Sequence, residues 1–460
     1  MIARPAFSPT EINGDLLSFV LKKSKRFYAA SIPLAVICLL GAIAIALMVV
    51  YGLELLGYNN TVYWAVPITN FIFWVGLSQA GIMVTSVLRL SRAEWRRPIT
   101  RIADVVSLFA LCAAGIYPII HTGRMWRTLY WIFPYDFTRQ IWPNVRSALV
   151  WDPAAIVTYM VGTIISIYLD LLPDLVVLRD YSSGRRRTIY GVLALGWRGT
   201  GRQWRIHTMA SRLLPAFMLP VFIFVHSIVS WDLGMAIAPG WHTTIFAPYF
   251  IMDAIHSGVA AVTTMVIGMM WLLKLKDYIR PEHLDCLGRC LVVTACGWLF
   301  FNLVEMYYDL FSRDPLDIAI WNLRLFVGPY KPLLITYFFA GFVVPIPLLL
   351  WHRTRRSALW LFVASALINV ALWIERYFLV VTPLSYKEGF TFMWTSSFTW
   401  HPVEYLITLA GFAMVILGVI LFAKVFPILS PWNLKQGQVL RRELQIGHAR
   451  VWAAMRAERG

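Results

Sequence analysis

His121, Asp152, Asp232, Glu305 and Arg376 are ionisable residues set inside or at the ends of long apolar runs. At the centre of a bilayer such a group costs roughly 2.5–3.5 kcal/mol on insertion scales, so each needs a partner or a task. His121 closes one run in Ile119-Ile120-His121-Thr122, and Trp151-Asp152-Pro153 opens the next, with proline at a first-turn position. Asp232 follows Trp231 at the end of the fifth run, Glu305 falls in the last third of the seventh, and Arg376 lies near the end of the ninth. If these runs span a membrane, all five groups come to one depth on one side. That combination suits a quinol. One ring hydroxyl needs an acceptor such as neutral histidine, the other needs a carboxylate, and an arginine holds the carboxylate ionised. Oxidation releases two protons, and His121 and Asp152, close to the aqueous boundary, are suited to receive them.

A second set lies deeper. His226 is about two turns inside the end of the fifth run, and Asp253 and His256 stand at i and i+3 on one face of the sixth. Asp170 and Asp174, at i and i+4 around Pro173, line the inner half of the fourth, where proline frees carbonyls for water. With Glu305 these residues read as a stepped proton path or, alternatively, as a paired structural network. A haem clamped by His226 and His256 is disfavoured, because at about 1.5 Å per residue the two lie roughly 9 Å apart along the membrane normal. His207, His242, His283, His352, His401 and His448 fall near helix ends or in loops and read as interfacial or solvated. The five cysteines form no C-x-x-C pair and read as membrane thiols, so no iron–sulfur cluster or metal is expected in the chain. No phosphate loop, dinucleotide fingerprint or zinc-protease helix occurs.

The elements that must position these groups follow from composition. Of 460 residues, 59% are hydrophobic and 14% charged, with a mean hydropathy of +0.65, which excludes a water-soluble globular enzyme. A spanning helix needs about 20 apolar residues. Runs of that length occur near 31–56, 63–89, 101–122, 154–178, 210–231, 244–273, 286–311, 326–351, 357–381 and 402–427. The net charge of +17 is concentrated in alternate connections: Lys22 to Arg26, Arg89 to Arg101, Arg179 to Arg205, Lys274 to Arg280, Arg353 to Arg356 and the tail. The positive-inside rule makes that side cytoplasmic, puts both termini there, and accounts for the charge without nucleic acid. The expected organisation is a cytoplasmic segment 1–30, a ten-helix membrane domain 31–427, and a tail 428–460 forming an amphipathic helix in the cytoplasm or at the lipid surface. The connection 123–153, rich in Trp, Tyr, Phe and Pro, is expected at the outer interface.

Several stretches carry a family resemblance: Pro118-Ile119-Ile120-His121-Thr122-Gly123-Arg124, then Trp131-Ile132-Phe133-Pro134-Tyr135, Trp151-Asp152, Leu172-Pro173-Asp174-Leu175 and His226 through Asp232. Pro239-Gly240-Trp241-His242-Thr243-Thr244-Ile245-Phe246-Ala247-Pro248-Tyr249-Phe250 and Glu375-Arg376-Tyr377 complete it. The chain resembles the NrfD/polysulfide-reductase membrane subunits, and among them the ten-helix subunits of bacterial alternative complex III. The resemblance implies an all-α membrane protein of two four-helix bundles plus flanking helices, in a bacterial cytoplasmic (inner) membrane. It implies bound quinone or quinol as substrate, no redox centre within the chain, and a pocket of His121, Asp152, Asp232 and Arg376. Expected partners are an extracytoplasmic iron–sulfur protein, other membrane subunits including a paralogous ten-helix one, a c-type cytochrome and membrane lipids. The alternatives are a structural or proton-conducting subunit with a vestigial quinone site, and a quinone reductase running in reverse. The chain departs from the alternative complex III pattern in 251–258, where Asp253 and His256 replace a neutral stretch.

Overall fold

The computed structural model describes residues 8–59, 61–123, 125–127, 148–236, 238–241, 243–327, 329–388, 393–395, 398–439, 441–446 and 449–454. Ten described helices are long and apolar enough to cross a membrane. They are α1 (Lys25–Tyr51), α2 (Val66–Leu90), α3 (Thr100–His121), α4 (Ala148–Asp180), α5 (Gly201–Gly234), α6 (Phe246–Leu273), α7 (Pro281–Ser312), α8 (Lys331–Leu350), α9 (Ala358–Leu384) and α10 (Pro402–Val425). Most of 123–153, with Trp131, Phe133, Pro134, Tyr135 and Trp142, lies outside the described residues, as do Arg124, His242 and His448.

Each apolar run coincides with one helix, but several helices continue beyond it on the arginine-rich side. The clearest case is α5, which starts at Gly201 on a capping box between Thr200 and Gln203, nine residues ahead of the run. At 1.5 Å per residue its 34 residues extend about 51 Å, against about 30 Å of hydrocarbon. The run marks the lipid; the cap marks the helix end. On the opposite side α4 starts at Ala148, before Pro153 rather than at it.

Two rings of four helices carry the core. Helices α2, α3, α4 and α5 pack in a closed ring, α6, α7, α8 and α9 in a second, and α2 and α5 join the first ring to α6. The pair α1 and α10 flanks α3. Close approach is set by missing side chains: a Cβ on Gly81 of α2 would lie 2.2 Å from Ser107 Oγ of α3, and one on Gly41 of α1 would lie 2.1 Å from Ala410 Cβ of α10. Buried Trp74, Tyr159 and Phe250 fill the first ring and its junction, and Trp298 and Tyr377 the second. Helix α1 exposes Ile32, Val36, Leu39 and Ile43, which suits a face turned to lipid.

The end segments differ from the sequence expectation. The helix Pro9–Leu21, started by a Ser8–Glu11 capping box, buries Ile12, Leu16, Leu17 and Val20, and Lys424 of α10 donates to the carbonyls of Phe19 and Lys22. The tail is a short helix, Pro431–Val439, followed by an antiparallel hairpin of Arg441–Ile446 with Ala449–Ala454, rather than one amphipathic helix. Its sequence alternates polar and apolar residues over Glu443-Leu444-Gln445-Ile446. A second small hairpin pairs Tyr386–Glu388 with Met393–Thr395. Both hairpins lie outside the ten spans, which are entirely helical.

Candidate functional site

At the ends of α4 and α5 away from the arginine-rich side, the Asp152 carboxyl is hydrogen-bonded to that of Asp232. Such a contact requires a shared proton, because two bare carboxylates repel. Asp152 is buried, and one oxygen of each acid (Oδ1) has no partner among the described residues. Trp151 and Trp231, each one residue earlier, meet edge to face at 6.4 Å and brace the pair. Directly beside it the two helices form an apolar groove of about 530 Å³, lined by Trp151, Ala154, Ala155, Phe224, Val225 and Ile228 among others. The proton-sharing acids therefore adjoin a slot shaped for an apolar chain.

His121, the last residue of α3, leaves its Nδ1 without a partner and packs its ring edgewise on Trp64 at 5.5 Å. Trp64 stacks on Trp241 at 6.3 Å, and Trp241 donates to the Leu379 carbonyl of α9 at 2.7 Å. This aromatic relay ties the end of the first ring to α9, one turn from Arg376.

Arg376 belongs with the deeper residues. Its guanidinium forms a buried ion pair with Asp253 of α6 and lies over the Phe250 ring at 4.5 Å. His226 of α5 is within electrostatic reach of Arg376 and lies against the Phe222 backbone carbonyl, which leaves its other ring nitrogen open. One atom each of Asp253 (Oδ1) and Arg376 (Nη1) is also free, so three buried groups at the junction of the rings present open hydrogen-bonding positions. His256 is bonded through Nδ1 to Thr294 Oγ1 at 2.8 Å, with Nε2 free. Glu305 falls in the second ring. It is in hydrogen-bond contact with the Tyr249 oxygen, whose proton is donated to Glu375, and Trp298 Nε1 reaches Glu375 at 3.0 Å. Arg324 is the nearby cation.

Asp170 and Asp174 form a closed network on the arginine-rich side. Arg101 reaches Asp170 at 2.8 Å and Asp174 at 2.6 Å, Arg89 reaches Asp170 at 3.5 Å, and Ser430 and Asn433 of the tail each donate at 3.0 Å. Pro173 frees the Leu169 carbonyl, as expected, but His207 occupies it at 2.9 Å, while Arg101 and Trp432 bond the Asp170 carbonyl. His207 and His283 are thus buried rather than solvated. Arg101 is also buried, although its place beside Arg92, Arg96 and Arg97 reads as a connection charge. Outside the spans, burial and then neighbouring Arg89 and Arg97 push the Arg96 guanidinium down to about 10, still charged at neutral pH.

Glu375, Tyr249, Arg101 and Asp104, which accepts from Thr85 at 2.7 Å, escape a search for ionisable groups at a common depth. Glu375 had a signal: an acid next to Arg376 within a 27-residue apolar helix points to a different face and needs its own partners. Among the described residues no cluster of three or more His, Cys, Asp or Glu could hold a metal ion.

Comparison with known proteins agrees with this architecture. The family described as Polysulphide reductase, NrfD matches residues 54–385. The chain is 27% identical over 228 residues to a Halobacterium salinarum protein that is provisionally named as a membrane subunit of dimethyl sulfoxide reductase, a match over 49% of this chain and 48% of that one. It is 22% identical over 422 residues to the Hdr-like menaquinol oxidoreductase integral membrane subunit of Archaeoglobus fulgidus, covering 87% and 94%. The chain thus spans about half the length of the first relative and nearly all of the second. With the family match covering both four-helix rings, this multi-pass membrane protein belongs to the NrfD family.

Proposed function

We propose that the chain is the quinol-oxidising membrane subunit of a respiratory or photosynthetic complex in a bacterial cytoplasmic membrane, and that the site lies at Asp152, Asp232 and His121, opposite the arginine-rich face. The observation that carries this reading is the hydrogen-bonded Asp152–Asp232 pair, with an unpartnered oxygen on each acid, on the two helices whose neighbouring residues, Trp151 and Ile228 among them, line an apolar groove. The quinol ring donates one hydroxyl to the acid pair and the other to His121 Nδ1, and its isoprenoid tail lies in the groove between α4 and α5. Oxidation breaks two O–H bonds. The acid pair takes one proton, His121 takes the second, and two electrons leave singly to an extracytoplasmic iron–sulfur protein, with a c-type cytochrome as a later acceptor. In this arrangement Arg376 acts through the Asp253 pair rather than on the quinol.

The open positions on His226, Asp253, Arg376 and His256 support proton translocation from the junction of the two rings. Asp170 and Asp174, with every carboxylate oxygen engaged, support a structural role instead. The Archaeoglobus relative carries menaquinol oxidoreductase in its name, which favours menaquinol. The test is electron transfer from quinol in membranes containing Asp152→Asn or His121→Ala. Turnover lost from an assembled complex supports the site; normal turnover in both variants overturns it.

A further inference from the structure

A second groove, of about 540 Å³, runs along one face of α5 on the arginine-rich side, and neither quinol chemistry nor helix packing uses it. Its lining includes Trp204, Arg205, Thr208, Met209, Arg212 and Leu213, a stripe at i, i+4 and i+8 spacing. Arg212 is 20 residues from Asp232, about 30 Å along the helix, which is one hydrocarbon thickness. With Asp232 at one boundary, Arg212 stands at the other, and Arg205 lies about 10 Å further out, in the headgroup layer.

Charge and shape both point to one ligand. Between Arg179 and Leu213 the chain has eight arginines and one acid, Asp180, which Arg179 binds at 2.9 Å. Arg205 and Arg212 have no carboxylate partner among the described residues. The groove wall is fixed, because the Trp204 ring is held edgewise by Trp197 at 5.2 Å and His207 at 5.6 Å and packs against Trp432 at 5.7 Å. Toward the bilayer centre Leu213 is 62% and Phe217 59% exposed, an apolar track that starts where the cations end. A slot built by one helix is too narrow for the roughly 800 Å² each partner buries in a stable protein interface, but it fits a single lipid.

We infer that this groove is a specific site for an anionic phospholipid of the arginine-rich leaflet, with its phosphate between Arg205 and Arg212, the Thr208 hydroxyl as a further donor, and an acyl chain along Leu213 and Phe217. The site takes its ligand by charge, so phosphatidylglycerol binds and phosphatidylcholine does not.

The experiment uses the intact complex in nanodiscs, with bound lipid read by native mass spectrometry and p-benzoylphenylalanine introduced by Met209→benzoylphenylalanine for photo-crosslinking. Wild type retains phosphatidylglycerol through delipidation. Arg205→Gln with Arg212→Gln retains it about 30-fold more weakly, roughly fivefold per guanidinium. Arg185→Gln with Arg187→Gln removes the same charge outside the groove and leaves retention unchanged. Equal retention by the groove variant, equal retention of phosphatidylcholine, equal loss in the control variant, or a Met209 crosslink to a protein subunit in place of lipid each overturns the inference.

Discussion

Replacing Arg101 by methionine removes the cation that closes the arginine-rich end of the first ring. Its guanidinium contacts Asp170 through Nε at 3.0 Å and through Nη2 at 2.8 Å, Asp174 at 2.6 Å, and the Pro427 carbonyl through Nη1 at 3.1 Å. Asp170 and Asp174 are 2% and 0% exposed, so the substitution leaves Asp174 without a cation and Asp170 with Arg89 alone, at 3.5 Å, both out of reach of water. Breaking a buried pair from one side costs about 3–5 kcal/mol, and at about 1.4 kcal/mol per decade the tail then opens at least 100-fold more often. Ser430, Trp432 and Asn433 hold the tail onto these same acids, so the loss is felt first at Pro431–Val439. Trypsin cleavage after Lys435 reads this opening, because a protease slower than reclosing follows the open population. Adding Asp170→Asn and Asp174→Asn to Arg101→Met should recover much of the protection, since asparagine keeps an acceptor oxygen without the charge. A cleavage rate within threefold of wild type in the single variant would refute the network's structural role.

Asp253→Asn leaves Arg376 buried without its counter-ion and should lower thermal stability of the complex by about 3–5 kcal/mol, with Arg376→Gln in the same chain restoring part of it; additive losses would show that the pair is not coupled. Ala154→Trp fills the groove between α4 and α5 from its exposed side. Losing about 60 Å² of apolar contact at about 25 cal/mol per Å² costs about 1.5 kcal/mol, so KM for a long-tailed quinol should rise roughly tenfold while a short-chain analogue is unaffected. An equal effect on both would remove the tail from the groove.

The ten spans were legible because a lipid-crossing helix must carry its apolar residues contiguously, and that constraint acts locally. Helix ends were less so: α5 extends nine residues beyond its apolar run on a cap whose signal, Thr200 with Gln203, lies in polar sequence. Depth along the helices brought Asp152 and Asp232 together before any contact was visible. Depth has no angular information, however, so it grouped Arg376 with the outer acids although its side chain turns to Asp253, and grouped Glu305 with them although it faces Tyr249 in the other ring. Arg101 was hidden by its neighbours, because a run of arginines between two helices looks solvated until α4 and the tail close over one of them. The hairpin of the tail was carried by a period-two alternation that the many arginines obscured.

Whether Asp152 and Asp232 hold a quinol is decided by quinone content. The complex, extracted in mild detergent and washed free of bulk lipid, is assayed by solvent extraction for retained quinone, in wild type and in Asp152→Asn with Asp232→Asn. The expected result is a stoichiometric quinone in wild type, lost in the double variant while the complex stays assembled. Equal quinone in both preparations would contradict the assignment of the site.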